Sequence, residues 1–201
     1  MELGVSRSSV SVWVRDVPLT EAQRAALAQR VRLGPLVAGE RSANAAREAR
    51  RRHQDEGRRL ARERGPRYEG GCMLYWAEGA KSRNRVKITN SDAGLLAYFA
   101  NFLRREFDVR SEDMRVYCNL FADHADRQRE IESFWLERLG LPPPCLRKSV
   151  VNVYSKYSEK KRQGKLPHGT CALVVQSTRI VQTIYGSIQE YGGFERPEWL
   201  D

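Results

Sequence analysis

Residues 39–69 read "GERSANAAREARRRHQDEGRRLARERGPRYE", and this run constrains the chain more than any other. It holds ten arginines and almost no large apolar residue. Such a segment cannot build a core, so the folded body must come from the residues C-terminal to it. Ala and Arg favour helix, and pairs such as Glu48 and Arg52 stand at i,i+4. The expectation is a solvated helical connector, broken at Gly57 and stopped by Gly65-Pro66. Its alternative use is as an arm on DNA phosphates. The resulting boundaries are a helical region at 1–38, a basic helical linker at 39–69, a folded domain at 70–194 and a tail at 195–201.

The domain alternates its periodicity. "RVKITN" (85–90) and "MRVYCNLF" (114–121) have the period of two of a strand with one buried face. "SDAGLLAYFANFLRREF" (91–107) has a helical stripe through Leu95, Leu96, Phe99, Phe102 and Leu103, with Ser91 as its N-cap. A helix over 125–144 ends at Gly140 and the prolines. "KSVVNVYSKY" (148–157) and "TCALVVQS" (170–177) read as a hairpin, and 177–193 as a last helix. With a helix over 70–79, the order α-β-α-β-α-β-β-α predicts an α+β fold with a largely antiparallel sheet. Tyr75, Trp76 and Phe99 read as core, and Asp123-His124 as a loop cap.

The net charge is +10 over 201 residues, with a pI near 9.8. That balance points to a polyanion, nucleic acid before membrane. No apolar stretch approaches the roughly 18 residues of a membrane span, and "MELGVSRSSV" lacks the pattern of a secretory signal. Four scattered cysteines form no CxxC pair and argue against zinc. A reduced, cytoplasmic chain is the expectation.

"LGVSRSSVSVWVRDVPLT" (3–20) resembles the recognition helix of resolvase-, transposase- and repressor-type helix-turn-helix proteins, with Gly4 at the turn and Ser6 as N-cap. Val10 and Trp13 or Val14 would pack inward, leaving Arg7, Ser8, Ser11 and Arg15 to face DNA in the major groove. The first helix of such a motif has too few residues ahead of Leu3, so the match is partial. "TEAQRAALAQRV" (20–31) is expected to be a helix capped by Thr20.

"GGCMLYWAEGAK" (70–81) places a carboxylate at the C-terminal end of an apolar helix, where the helix dipole repels it. Through Leu74, Ala77, Glu78 and Gly79, "GCMLYWAEG" resembles the LAGLIDADG motif of homing endonucleases, and the likeness extends over about 70–193. The resemblance implies a homodimer through the 70–79 helix, since the motif occurs once, and a near-palindromic duplex site. It implies that Glu78 binds Mg²⁺ and positions water for phosphodiester cleavage, with a basic residue nearby; Lys81 and Lys87 are the candidates, and Lys87 is taken as catalytic. Met73 stands where close helix packing favours Gly, which sets the two helices further apart. The family's curved sheet would lie in the major groove. Arg85, Lys87 and Thr89, then Arg115, Tyr117 and Asn119, then Lys148, Asn152 and Lys156 would form its outer face. The loop with Lys160, Lys161, Arg162 and Lys165 would hold the backbone. The competing readings are a non-cleaving helix-turn-helix transcription regulator on the same fold, and an RNA-binding or splicing-helper use, which the helix-turn-helix argues against.

Overall fold

The computed structural model of the chain describes residues 4–152 and 166–201, and of Arg7 the backbone alone. Lys156, Lys160, Lys161, Arg162 and Lys165 therefore lie outside the described residues. The chain divides into two compact units, Met1–Ala46 and Arg47–Asp201.

In the first unit, α1 (Arg7–Trp13) starts at Ser6, whose Oγ accepts from the Ser9 amide at 3.2 Å. The helix ends at Trp13, so Arg15 lies in the turn beyond it rather than on its face. Val10, Trp13 and Val14 are exposed, with Trp13 at 64 %, against the expectation that they pack inward. Seven residues are too few to bury a stripe without a neighbouring element. α2 (Glu21–Glu63) opens on a reciprocal cap: Thr20 Oγ1 accepts from the Gln23 amide at 3.3 Å, and Gln23 Oε1 accepts from the Thr20 amide at 2.8 Å. The helix continues through Pro35 and also through Gly57, where a break is expected from sequence. It stops at Gly65-Pro66, and Pro66 serves as the first residue of α3 (Pro66–Glu78).

The second unit adds β1 (Val86–Asn90), α4 (Ala93–Phe107), β2 (Met114–Phe121), α5 (Gln128–Leu139), β3 (Val150–Asn152), β4 (Thr170–Val175) and α6 (Thr178–Gly192). The fold is α+β. Asp92, not Ser91, caps α4, its Oδ1 accepting from the amides of Gly94 (2.8 Å) and Leu95 (3.1 Å). The sheet order is β1-β4-β2-β3. β4 runs antiparallel to both neighbours, and β3 runs parallel to β2. The expected hairpin between 148–157 and 170–177 is thus absent among the described residues. β4 is an unbroken apolar run, buried from Cys171 to Val175, and such a strand belongs in the interior of a sheet with both edges paired. β1 and β2 take those edges and leave β3 the outer side of β2.

The core lies on one side of this sheet. Val86, Ile88, Val116, Cys118, Leu173 and Val175 meet α3, α4, α5 and α6 there. Tyr75 stacks on Phe99 with ring centroids 5.6 Å apart. Trp76 leaves the core and is 40 % exposed, against Phe194. His124 is buried in the turn after β2, its Nδ1 accepting from the Phe121 amide at 3.4 Å, in keeping with a cap.

The Arg-rich segment is not a solvated connector over its length. From Arg47 onward it belongs to the second unit; Gln54, Gly57 and Ala61 are buried, Gln54 and Gly57 against α6. The backbones come very close: a Cβ on Gly57 would lie 2.0 Å from the Thr183 carbonyl oxygen, and one on Gly186 would lie 1.9 Å from that of Gln54. Three buried amides close the seam. Gln54 Nε2 donates to Gln182 Oε1 at 2.7 Å, and Gln189 Nε2 donates to Gln54 Oε1 at 3.0 Å. Gln182 Nε2 reaches the carbonyls of Arg83 and Trp199, both at 3.0 Å. Nor is 195–201 a loose tail. Trp199 stacks on Tyr185 at 4.5 Å, and Arg50 Nε donates to the Leu200 carbonyl at 2.6 Å.

Candidate nucleic-acid interface

Glu78 is the last residue of α3 and is exposed. Tyr68, Gly71, Cys72 and Tyr75 turn into the core at helical spacing, Leu74 packs half-buried beside them, and Ala77 and Glu78 are left exposed. What tolerates an acid there is local. Lys81 Nζ donates to the carbonyls of Trp76 and Gly79, both at 2.7 Å, and so puts an ammonium on the negative end of the helix. Partial burial holds that ammonium below its ordinary value. Asn90 Nδ2 donates to Glu78 Oε2 at 3.1 Å. Lys81→Met is expected to lower the unfolding free energy by about 1 kcal/mol, the usual scale of a cation at a helix C-terminus; chemical denaturation measures it, and an unchanged midpoint would show that the cap contributes nothing.

Within one chain, Glu78 is the single carboxylate at the end of α3 among the described residues. Mg²⁺ takes six oxygens in an octahedron, usually one or two carboxylates completed by waters and substrate phosphates. Here one of the Glu78 oxygens takes an amide proton, and the carbonyls beside it are occupied by Lys81. Among the described residues no three His, Cys, Asp or Glu side chains cluster to hold a metal ion. Lys87 does not join Glu78 either. Asn90, which holds Glu78, shares the strand face of Val86 and Ile88, whereas Lys87 lies on the opposite face with Thr89.

That opposite face is where the basic positions converge. Register places Lys87, Val174 and Arg115 in one row across the sheet, and Thr89, Ala172 and Tyr117 in the next. Asn119, Thr170 and Val150 form a third row, with Asn152 beside Phe121 at the end. Ala172 and Val174 are buried yet stand apart from the contiguous core, so this side of the sheet is not the one the helices cover. Arg115 is steadied by the carbonyls of Glu112 and Met114, the latter at 2.8 Å. Asn119 Nδ2 donates to Thr170 Oγ1 at 3.3 Å. Arg85 just before β1 and Lys148 just before β3 are exposed at opposite edges.

The positions expected on the N-terminal helix belong to the first unit. Ser8 and Ser11 lie on α1 and are exposed, Ser8 Oγ standing 2.7 Å from Ser6 Oγ. Sequence reasoning took Lys81 as a candidate near a reacting phosphate and missed both its capping role and Asn90. The signal was a lysine two residues past Gly79, within reach of the last carbonyls. No helix among the described residues is long and apolar enough to cross a membrane. Comparison with protein-family models, curated proteins and solved structures yields no match.

Proposed function

We propose that this protein binds double-stranded DNA through the outer face of its sheet, as a homodimer joined by the exposed flank of α3, and does not cleave it. One observation carries the reading: the register of β1, β4 and β2 brings Lys87, Arg115, Tyr117 and Asn119 onto a single face that is not the core's. Cations supply phosphate affinity, and Arg, Asn and Lys are the side chains that read base edges. A net charge of +10 supports the same partner. Binding without cleavage is favoured because Glu78 is bonded to Asn90, away from Lys87, with Lys81 on the adjacent carbonyls.

The test is duplex binding across a salt series. Replacing Lys87 and Arg115 together by Gln should weaken binding by roughly a hundredfold and flatten the log–log salt slope by about two. Unchanged affinity and slope would remove the sheet face from the interface. Light scattering of the complex should find two protomers per duplex. In the same samples, Mg²⁺ should produce no nicking of plasmid DNA. Nicking by the wild type that Glu78→Gln abolishes would replace this reading with the endonuclease one.

A further inference from the structure

Two of the four cysteines face each other. Cys118 on β2 and Cys171 on β4 are direct antiparallel partners, and neither is exposed. Directly opposed residues have Cα atoms about 4.5–5.5 Å apart, within the roughly 4.4–6.8 Å that a disulfide spans. All four cysteines are thiols in this structure. Cys72 lies on α3 and Cys145 in the turn that precedes β3, neither opposite another cysteine.

We propose that Cys118 and Cys171 are a redox couple that closes into a cross-strand disulfide when a hydroperoxide reaches it, and that closure alters the basic face of the sheet. The Cys171 thiol beside Cys118 holds it below the ordinary thiol range despite burial, while Cys171 itself is pushed up by that same contact. The lowered Cys118 thiol is assigned the first attack, and Cys171 stands directly opposite it across the strand pair to complete the bond. Ser149 and Glu132 both act on Cys118 and are half-buried, and Ser149 Oγ donates to Glu132 at 2.5 Å, which gives a small oxidant a polar approach. Burial above all pushes Cys72, by contrast, up to about 12.

Chemically, the Cys118 sulfur attacks one peroxide oxygen and the O–O bond breaks. The other oxygen leaves with the thiol proton as water, or as an alcohol from an organic peroxide. The sulfenic acid left on Cys118 is then attacked by the Cys171 sulfur. The S–O bond breaks, and hydroxide leaves with the Cys171 proton as water. Two thiols are oxidised and one peroxide is reduced. The bond draws the opposed Cβ atoms from about 5 Å to about 3.8 Å. Tyr117 and Asn119 flank Cys118, and Thr170 and Ala172 flank Cys171; all four lie on the DNA-facing side of the same strands. The effect on that face rests on the DNA-binding reading.

The experiment treats the reduced full chain with hydrogen peroxide, alkylates it under denaturing conditions and maps the peptides by mass. Two of the four thiols should be lost, the peptides of Cys118 and Cys171 should be joined, and dithiothreitol should restore both. Cys171→Ala should block the bond and leave a dimedone-reactive Cys118, while Cys72→Ala should behave as wild type. Four free thiols, or a bond through Cys72 or Cys145, overturns the couple. Oxidised wild type should bind duplex DNA about tenfold more weakly than reduced, a coupling of ordinary size. Equal affinities overturn the regulatory half of the proposal. A reduced protein that binds no DNA overturns the DNA-binding reading instead and leaves the disulfide result standing.

Discussion

A single methyl group on Gly186 is expected to destabilise the folded domain by about 3 kcal/mol or more, the upper range for overpacking a tight contact. The Cβ of Gly186→Ala would stand 1.9 Å from the Gln54 carbonyl oxygen, and the obstacle is backbone, which cannot swing aside as a side chain can. α2 would have to lift off α6, straining the amide contacts of Gln54, Gln182 and Gln189 together. Gly57→Ala should behave alike, since its Cβ would meet the Thr183 carbonyl at 2.0 Å. Gly39→Ala is the informative contrast. It lies on the same helix with nothing within 4 Å of its Cβ, so it should favour the helix by about 1 kcal/mol. Thermal unfolding reads the difference, at about 2–4 °C per kcal/mol for a domain of this size. Equal midpoints for Gly186→Ala and wild type would mean that α2 does not seat on α6.

Gln54→Leu should cost about 3 kcal/mol although leucine fills nearly the same volume, because an unsatisfied buried polar group costs about 1–3 kcal/mol and two amides are disturbed here. Gln54 is 3 % exposed and links Gln182 Oε1 to Gln189 Nε2. With leucine in its place the Gln182 oxygen loses its donor, and the Gln189 amide keeps only the Tyr185 carbonyl, at 3.2 Å, of its two acceptors. Gln29→Leu, at an exposed position of the same helix, should stay within about 0.5 kcal/mol of wild type. Guanidinium denaturation of the three proteins decides it. If Gln54→Leu unfolds with Gln29→Leu, the amide network carries no stability.

Much of the candidate site is legible in one dimension. The alternation in "MRVYCNLF" places Met114, Val116, Cys118 and Leu120 inward and Arg115, Tyr117 and Asn119 outward, and β2 follows it. The same alternation separates Lys87 from Val86 and Ile88. Period two is a property of the backbone, so it needs no knowledge of partners. The pairing of strands is a different matter. Nothing local to "TCALVV" names β1 and β2 as its neighbours, and the closeness in sequence of β3 and β4 suggests a hairpin that the sheet does not use. The apolar density of β4 is the one hint, because an interior strand is buried on both faces.

The chain's own order of residues determined its α+β class, the stops at Gly65-Pro66 and Gly140, and the basic character of one strand face. Those arise from backbone periodicity, capping chemistry and charge, all of which act over a few residues. Only the tertiary structure decided that Gln54, Gly57 and Ala61 are buried within an arginine-rich helix, that Lys81 bonds the carbonyls at the end of α3, and that Glu78 and Lys87 lie on opposite sides of β1. Each of these depends on which distant surface meets which. Gln54 meets Gln189 across 135 positions, and a contact at that separation is selected by the packing of whole elements.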